Sequence, residues 1–107
     1  MLKGLGDIGN LMKMQREFKA TQKKITSARI SGESTAGEVR ATMSGEYKLL
    51  EIVIDPSFIK EADVKKVEKM IALAVNNAVE KVKDFSAEEM GKLTGGLDMS
   101  ALGNMFK

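Results

Sequence analysis

The chain has 107 residues, room for one domain, with 43% hydrophobic and 30% charged side chains; that balance indicates a folded, soluble protein and not a disordered tail. It contains no cysteine and no histidine, which excludes disulfides, thiolate chemistry and imidazole, and with them the commonest catalytic bases, nucleophiles and zinc ligands. The net charge is only +2, yet residues 1–30 hold seven basic against two acidic side chains, a net +5, while residues 31–60 carry −2 and residues 61–107 carry −1.

Such asymmetry points to an anionic partner for the first segment. No apolar run approaches the ~20 residues of a membrane span. The first thirty residues also lack the apolar stretch and cleavage site of a secretory signal, so the expected location is cytoplasmic, with no membrane association. Neither an enzyme nor a bound cofactor, metal or small-molecule substrate is expected.

Near the start, residues 4–9 read GLGDIG, a formal match to the G-x-G-x-x-G phosphate-binding fingerprint. That loop works only between a strand and a helix, with a carboxylate about 20 residues further on for the ribose. Only Met1 to Lys3 precede Gly4, and Arg29 stands near the acid's position. The glycines are therefore expected to form a loose lead into a helix, capped by Asp7 or Asn10.

Residues 11–28 predict that helix. Leu11, Met14, Phe18, Thr21, Ile25 and Ala28 recur at 3-4-3-4-3 spacing, a coiled-coil-like seam. A short strand is expected over residues 29–33. Val39, Ala41 and Met43 then alternate with Glu38, Arg40 and Thr42, and after a turn at Gly45 so do Lys48, Leu50, Ile52 and Ile54 with Leu49, Glu51 and Val53. Period-two alternation about a glycine turn predicts an antiparallel hairpin, and with the first strand a three-stranded meander. Leu49 and Val53 lie opposite Leu50, Ile52 and Ile54, so both faces of the last strand call for cover.

Asp55-Pro56 ends the strand. A long helix is predicted from an Asp63 N-cap to about Lys92, its apolar stripe formed by Val64, Val67, Ile71, Ala74, Ala78, Val82 and Phe85 and widened by Val75 and Val79. Such a helix is ~45 Å long at 1.5 Å per residue, whereas a compact 100-residue domain is about 34 Å across. The overshooting stripe needs a partner, most simply a second copy in a two-fold dimer. The expected architecture is α+β: an N-terminal helix, a three-stranded antiparallel meander and a long C-terminal helix, paired as a homodimer with projecting helical arms. Residues 1–9 and 94–107 are expected to be flexible flanks of this single domain.

The first helix carries the informative charges. With Leu11 at 0° and about 100° per residue, the seam falls at about 260–360°. Lys13, Arg16, Lys19, Lys23 and Lys24 fall at about 80–220°, with only Glu17 close by. Solvated helix faces usually alternate sign at i, i+4 for about 0.2–0.5 kcal/mol per pair, whereas Arg16–Lys19 and Lys19–Lys23 repel. Helix stability gains nothing from this arrangement, but a polyanion would exploit it, DNA phosphates first of all.

The long helix instead mixes signs, with Glu61–Lys65 and Glu88–Lys92 as favourable pairs and Glu89 among its outer charges. Asn76-Asn77 suits packing or an inter-chain hydrogen bond, and Met14 and Met70 suit the core. No zinc-finger spacing, helix-turn-helix or aromatic platform is present, so phosphate and shape recognition with limited sequence preference is expected.

The stretches GLGDIGNLMKMQ, GESTAGEVRATMSGE, VIDPSFI, AVNNAVEK and MGKLTGGL, in this order, make the chain resemble the YbaB/EbfC family of bacterial nucleoid-associated proteins over almost its whole length. The resemblance implies a small cytoplasmic homodimer located at the nucleoid, with a strand layer joining the chains and arms that project like tweezers. It further implies binding of double-stranded DNA with limited sequence specificity and an influence on nucleoid organisation and gene expression. Ser34, Thr35 and Ala36 stand where the family often has glycines, which implies a stiffer first turn, and DMSAL replaces a proline-containing continuation after GGL. The expected DNA-binding residues are Lys13, Arg16, Lys19, Lys23 and Lys24, taken from the charge map. The alternative is a protein–protein adaptor whose helical arms clasp an acidic partner.

Overall fold

In the computed structural model, which describes the backbone of residues 2–93 and the side chains of residues 9–93, helix α1 (Leu2–Ser27) leads into strands β1 (Arg29–Glu33), β2 (Val39–Ser44) and β3 (Leu49–Ile54), then a short helix α2 (Pro56–Glu61) and the long helix α3 (Val64–Leu93). The expected order of helix, meander and long helix is what the chain forms. The expectation for residues 94–107 lies outside the described residues.

Helix α1 begins earlier than its pattern predicts. Its backbone is helical from Leu2, so the GLGDIG glycines lie within the helix and do not lead into it, and Asp7 and Asn10 are interior positions instead of caps. Glycine lowers helix propensity by about 1 kcal/mol without forbidding helical dihedrals. The spacing of Leu2, Leu5, Ile8 and Leu11 continues the apolar period through the glycines.

The sheet has the order β1-β2-β3, antiparallel throughout. Alternation along β2 sends Val39, Ala41 and Met43 to the face covered by α3, where they form one buried cluster with Met70, Ala74, Ala78 and Val82. Val39 and Val82 are wholly enclosed, and each such side chain contributes about 1.5–3 kcal/mol relative to exposure. Small residues let the layers approach. A Cβ at Gly32 on β1 would overlap the Ala78 backbone of α3, so glycine is the residue that fits. Asn77 adds a polar tie across the same contact, its side-chain oxygen accepting from the Glu33 backbone N–H at 2.9 Å. The predicted packing role of the Asn pair thus falls to Asn77, within one chain.

Two local features depart from the predicted pattern. The β2–β3 register shifts between Thr42 and Met43, so Thr42 faces Glu51 while Met43 faces Leu49, leaving Leu50 as the extra residue of a bulge. The clean alternation expected of Leu49 and Leu50 is broken there, and both stay about half exposed. Second, Asp55-Pro56 not only ends β3 but starts α2. The Asp55 carboxylate accepts from the Ser57 N–H at 3.0 Å and its hydroxyl at 2.9 Å, and the proline occupies the first turn, where no backbone donor is needed. Asp63 caps α3 as predicted, its carboxylate accepting from the Lys66 N–H at 2.8 Å.

Outside the sheet, α3 runs on beside α1. The predicted stripe is correct in its middle, but Val64 is exposed and Met70 takes a core position. The expected overshoot is met partly from within the chain, because residues 17–25 of α1 lie antiparallel to the last turns of α3. Ile25 is buried where α1 meets the sheet, and a Cβ at Gly45 would overlap its carbonyl. The result is a thin, elongated chain of 73 × 29 × 15 Å with a radius of gyration of 20.0 Å, against ~13 Å for a compact domain of this length. Among the described residues no helix is long and apolar enough to cross a membrane.

Candidate nucleic-acid interface

The arm formed by α1 and the end of α3 carries the cations singled out in the sequence. Lys13, Arg16, Lys19, Lys23 and Lys24 are all exposed, but they are not equivalent. Lys24 Nζ lies 3.0 Å from Glu89 Oε2 of α3. The other four form no ion pair among the described residues, and they occupy an arc of about 80–200° on the helix. Lys24, at about 220°, is at the edge of the basic arc closest to α3, which is why it alone finds a carboxylate there.

Four cations on a rigid helix make a ridge. Lys13 to Lys23 spans ten residues, ~15 Å at 1.5 Å per residue. Arg16–Lys19 and Lys19–Lys23 remain unshielded neighbours, and Lys13 and Glu17, four residues apart, form no ion pair among the described residues. Among the described residues of α1 the acid nearest the ridge is Glu17, which lies with Ala20, Thr21, Glu89, Lys92 and Leu93 around the cleft between α1 and α3.

Glu89 departs from the predicted pattern. Its sequence context suggests a solvated outer position on the long helix, with Glu88 as the partner of Lys92. In the structure the Glu89 side chain is buried and receives both Lys24 and Lys92, the latter at 3.2 Å. Lys24, then Lys92, hold its carboxyl below the ordinary glutamate value against the opposing effect of burial. The spacing held the signal: Glu89 is seven residues beyond Val82 and four beyond Phe85, so it continues the apolar stripe. A carboxylate on such a stripe needs a cation brought to it.

The seam of α1 divides at this contact. Ile25 is buried and Thr21 half-buried, whereas Phe18, Met14 and Leu11 are 40%, 59% and 63% exposed. Met14 is thus not the core residue its spacing predicted: it lies beyond the part of α1 that the described residues of α3 cover. Met70 does lie in the core.

On the sheet the hydroxyls of Ser31 and the buried Thr42 are 3.0 Å apart, and among the described residues no cluster of His, Cys, Asp or Glu could hold a metal. The β1–β2 turn is knit by its own side chains. Glu38 accepts from the Ser34 hydroxyl and the Ala36 N–H, both at 2.8 Å, and the Ser34 hydroxyl accepts from the Val39 N–H at 3.0 Å. Only Gly37 in that turn needs a positive φ, of 78°.

Helix–meander–helix folds of this kind, with a paired helical arm, have relatives. The model of the YbaB/EbfC DNA-binding family matches residues 3–97. A protein of Paramagnetospirillum magneticum (strain ATCC 700264 / AMB-1) named nucleoid-associated protein amb4104 is 38% identical over 97 residues, covering 87% of this chain and 91% of that protein. Among solved structures, uncharacterized protein HP0035 from Helicobacter pylori superposes with a TM-score of 0.64 at 21% identity, over 80% of this chain and 90% of that one, which shows a common fold. The chain belongs to the YbaB/EbfC family.

Proposed function

We propose that this protein is a nucleoid-associated DNA-binding protein that acts as a homodimer, holding double-stranded DNA through phosphates and shape with limited sequence specificity. The observation that carries the reading is the ridge of Lys13, Arg16, Lys19 and Lys23, exposed along one side of α1 and free of ion pairs among the described residues. Family membership and the name of the amb4104 relative support DNA as the anion. A ~15 Å ridge runs beside about nine phosphate charges of a duplex, which carries one charge per ~1.7 Å of axis. Lys24 is assigned to holding the arm together, not to DNA.

The dimer reading is supported by β3. It is an edge strand whose Leu49, Leu50 and Val53 are each about half exposed, the kind of edge that pairs with another chain unless covered. Pairing there would set two arms on one particle. Binding at the cytoplasmic nucleoid would in turn influence DNA organisation and gene expression.

The test is fluorescence anisotropy with two unrelated duplexes of equal length. Both should bind within a few-fold of each other, and the Lys19→Glu/Lys23→Glu variant should weaken both alike. Strong binding to one duplex only, or an unaffected variant, contradicts the proposal.

A further inference from the structure

We propose that the C-terminal segment, residues 94–107, docks along the uncovered half of its own chain's α1 seam, over Phe18, Met14 and Leu11. The seam is apolar by sequence and bare in the structure: Leu11, Met14 and Phe18 are 63%, 59% and 40% exposed, while Ile25 of the same row is buried. The described residues of α3 reach along this row only as far as Thr21. Leu93, the last described residue of α3, shares a cleft with Thr21 and Glu17 of α1, one turn before Phe18.

Direction and length both favour this occupant. Helices α1 and α3 are antiparallel where they meet, so the chain leaving Leu93 heads toward Phe18, Met14 and Leu11 without reversing. From Phe18 to Leu11 is ~10 Å along the helix, and fourteen residues cover ~20 Å even when helical. In the sequence Gly95-Gly96 lower helix propensity just beyond Leu93, and a step of about 60° around α1 separates the Glu17 side from the Met14 side. Beyond them the sequence spaces Met99, Leu102, Met105 and Phe106 at 3-3-1, four large apolar residues in a segment with only Asp98 and Lys107 as charges. A tail tethered at Leu93 meets this seam at an effective concentration in the millimolar range, which a second copy does not match at ordinary protein concentration. Docking there leaves the opposite side of α1, with Lys13, Arg16, Lys19 and Lys23, uncovered.

The absence of natural cysteines makes the test direct. Met14→Cys is combined in turn with Met99→Cys, Leu102→Cys and Met105→Cys in the full chain, and each pair is oxidised mildly. Arg16→Cys, about 160° around the helix from Met14, is the control with the same tail positions. The proposal expects at least one Met14 pair to close within a single chain about tenfold faster than its Arg16 counterpart, because both share one tether and only docking on the seam side brings the tail to position 14. It also expects amide exchange over residues 11–18 to be about tenfold faster in a chain ending at Leu93 than in the full chain. Equal rates for the Met14 and Arg16 pairs, disulfides that join two chains, or exchange indifferent to the tail each overturn it.

Discussion

Lys24 Nζ lies 3.0 Å from one oxygen of Glu89, while Lys92 Nζ lies 3.2 Å from the other. This bridge fastens α1 to α3 beyond the sheet. The Glu89 carboxyl is held below the ordinary value of 4.5 by Lys24 and Lys92. Its contribution is therefore complete above the unfolded-state pKa and is lost as pH falls through the lower folded value. Urea midpoints measured from pH 7 down to pH 3 should be level above about pH 5 and fall below it. Glu89→Gln should be less stable at pH 7 and should show a shallower fall. The residual fall belongs partly to Glu38, whose carboxyl is likewise lowered, first by its own backbone N–H and then by Ser34 and Ala36.

The same bridge sorts the cations. Lys24→Gln should destabilise the arm but change DNA affinity less than Lys19→Gln does. Glu89→Gln releases Lys24 and should steepen the salt dependence of binding by at most about 0.9 per chain. Anisotropy titrations across salt, with circular dichroism to verify the helices, measure both effects.

Glycines give a graded set of stability predictions. A Cβ at Gly32 overlaps the Ala78 backbone and one at Gly45 overlaps the Ile25 carbonyl, whereas one at Gly9 meets nothing within 4 Å. Gly32→Ala and Gly45→Ala should each cost about 1–3 kcal/mol or more by overpacking. Gly9→Ala should instead strengthen the first helix by up to about 1 kcal/mol. Chemical denaturation and helical ellipticity read the three variants, and a harmless Gly45→Ala would contradict the seating of α1 on the sheet.

Exposed Leu50 and Val53 on the β3 edge give a prediction for assembly. Leu50→Lys/Val53→Lys should shift the protein from dimer to monomer in sedimentation equilibrium while leaving its helix content unchanged, since neither side chain belongs to the buried cluster. A dimer unaffected by both charges would place the joint elsewhere.

Much of the fold was legible because its periods are strong. The 3-4 spacing of α1, the alternation of Val39, Ala41 and Met43, and the Asp63 cap each follow from one-dimensional patterns. Three features were not. The bulge at Leu50 depends on how two strands meet, which alternation along one strand does not encode. The helical state of the GLGDIG stretch pits weak propensity against an apolar period, and the period prevails. The cation ridge was visible from the wheel of α1, but the neutralisation of Lys24 was not, because its partner lies 65 positions away on another helix. Glu89 carried a hint in its place on the apolar stripe, obscured by the run of charges around it.

Phosphates are proposed to meet the four cations of each α1 that form no ion pair among the described residues. The most direct measurement is the equilibrium constant for a generic duplex as a function of salt. With four cations per chain and two chains, at most eight phosphates are neutralised, so log K against log salt should have a slope between about −3 and −7. The slope should become shallower by about 1.8 when Lys19→Gln removes one cation from each chain. A slope near zero, or one that Lys19→Gln leaves unchanged, would contradict the account.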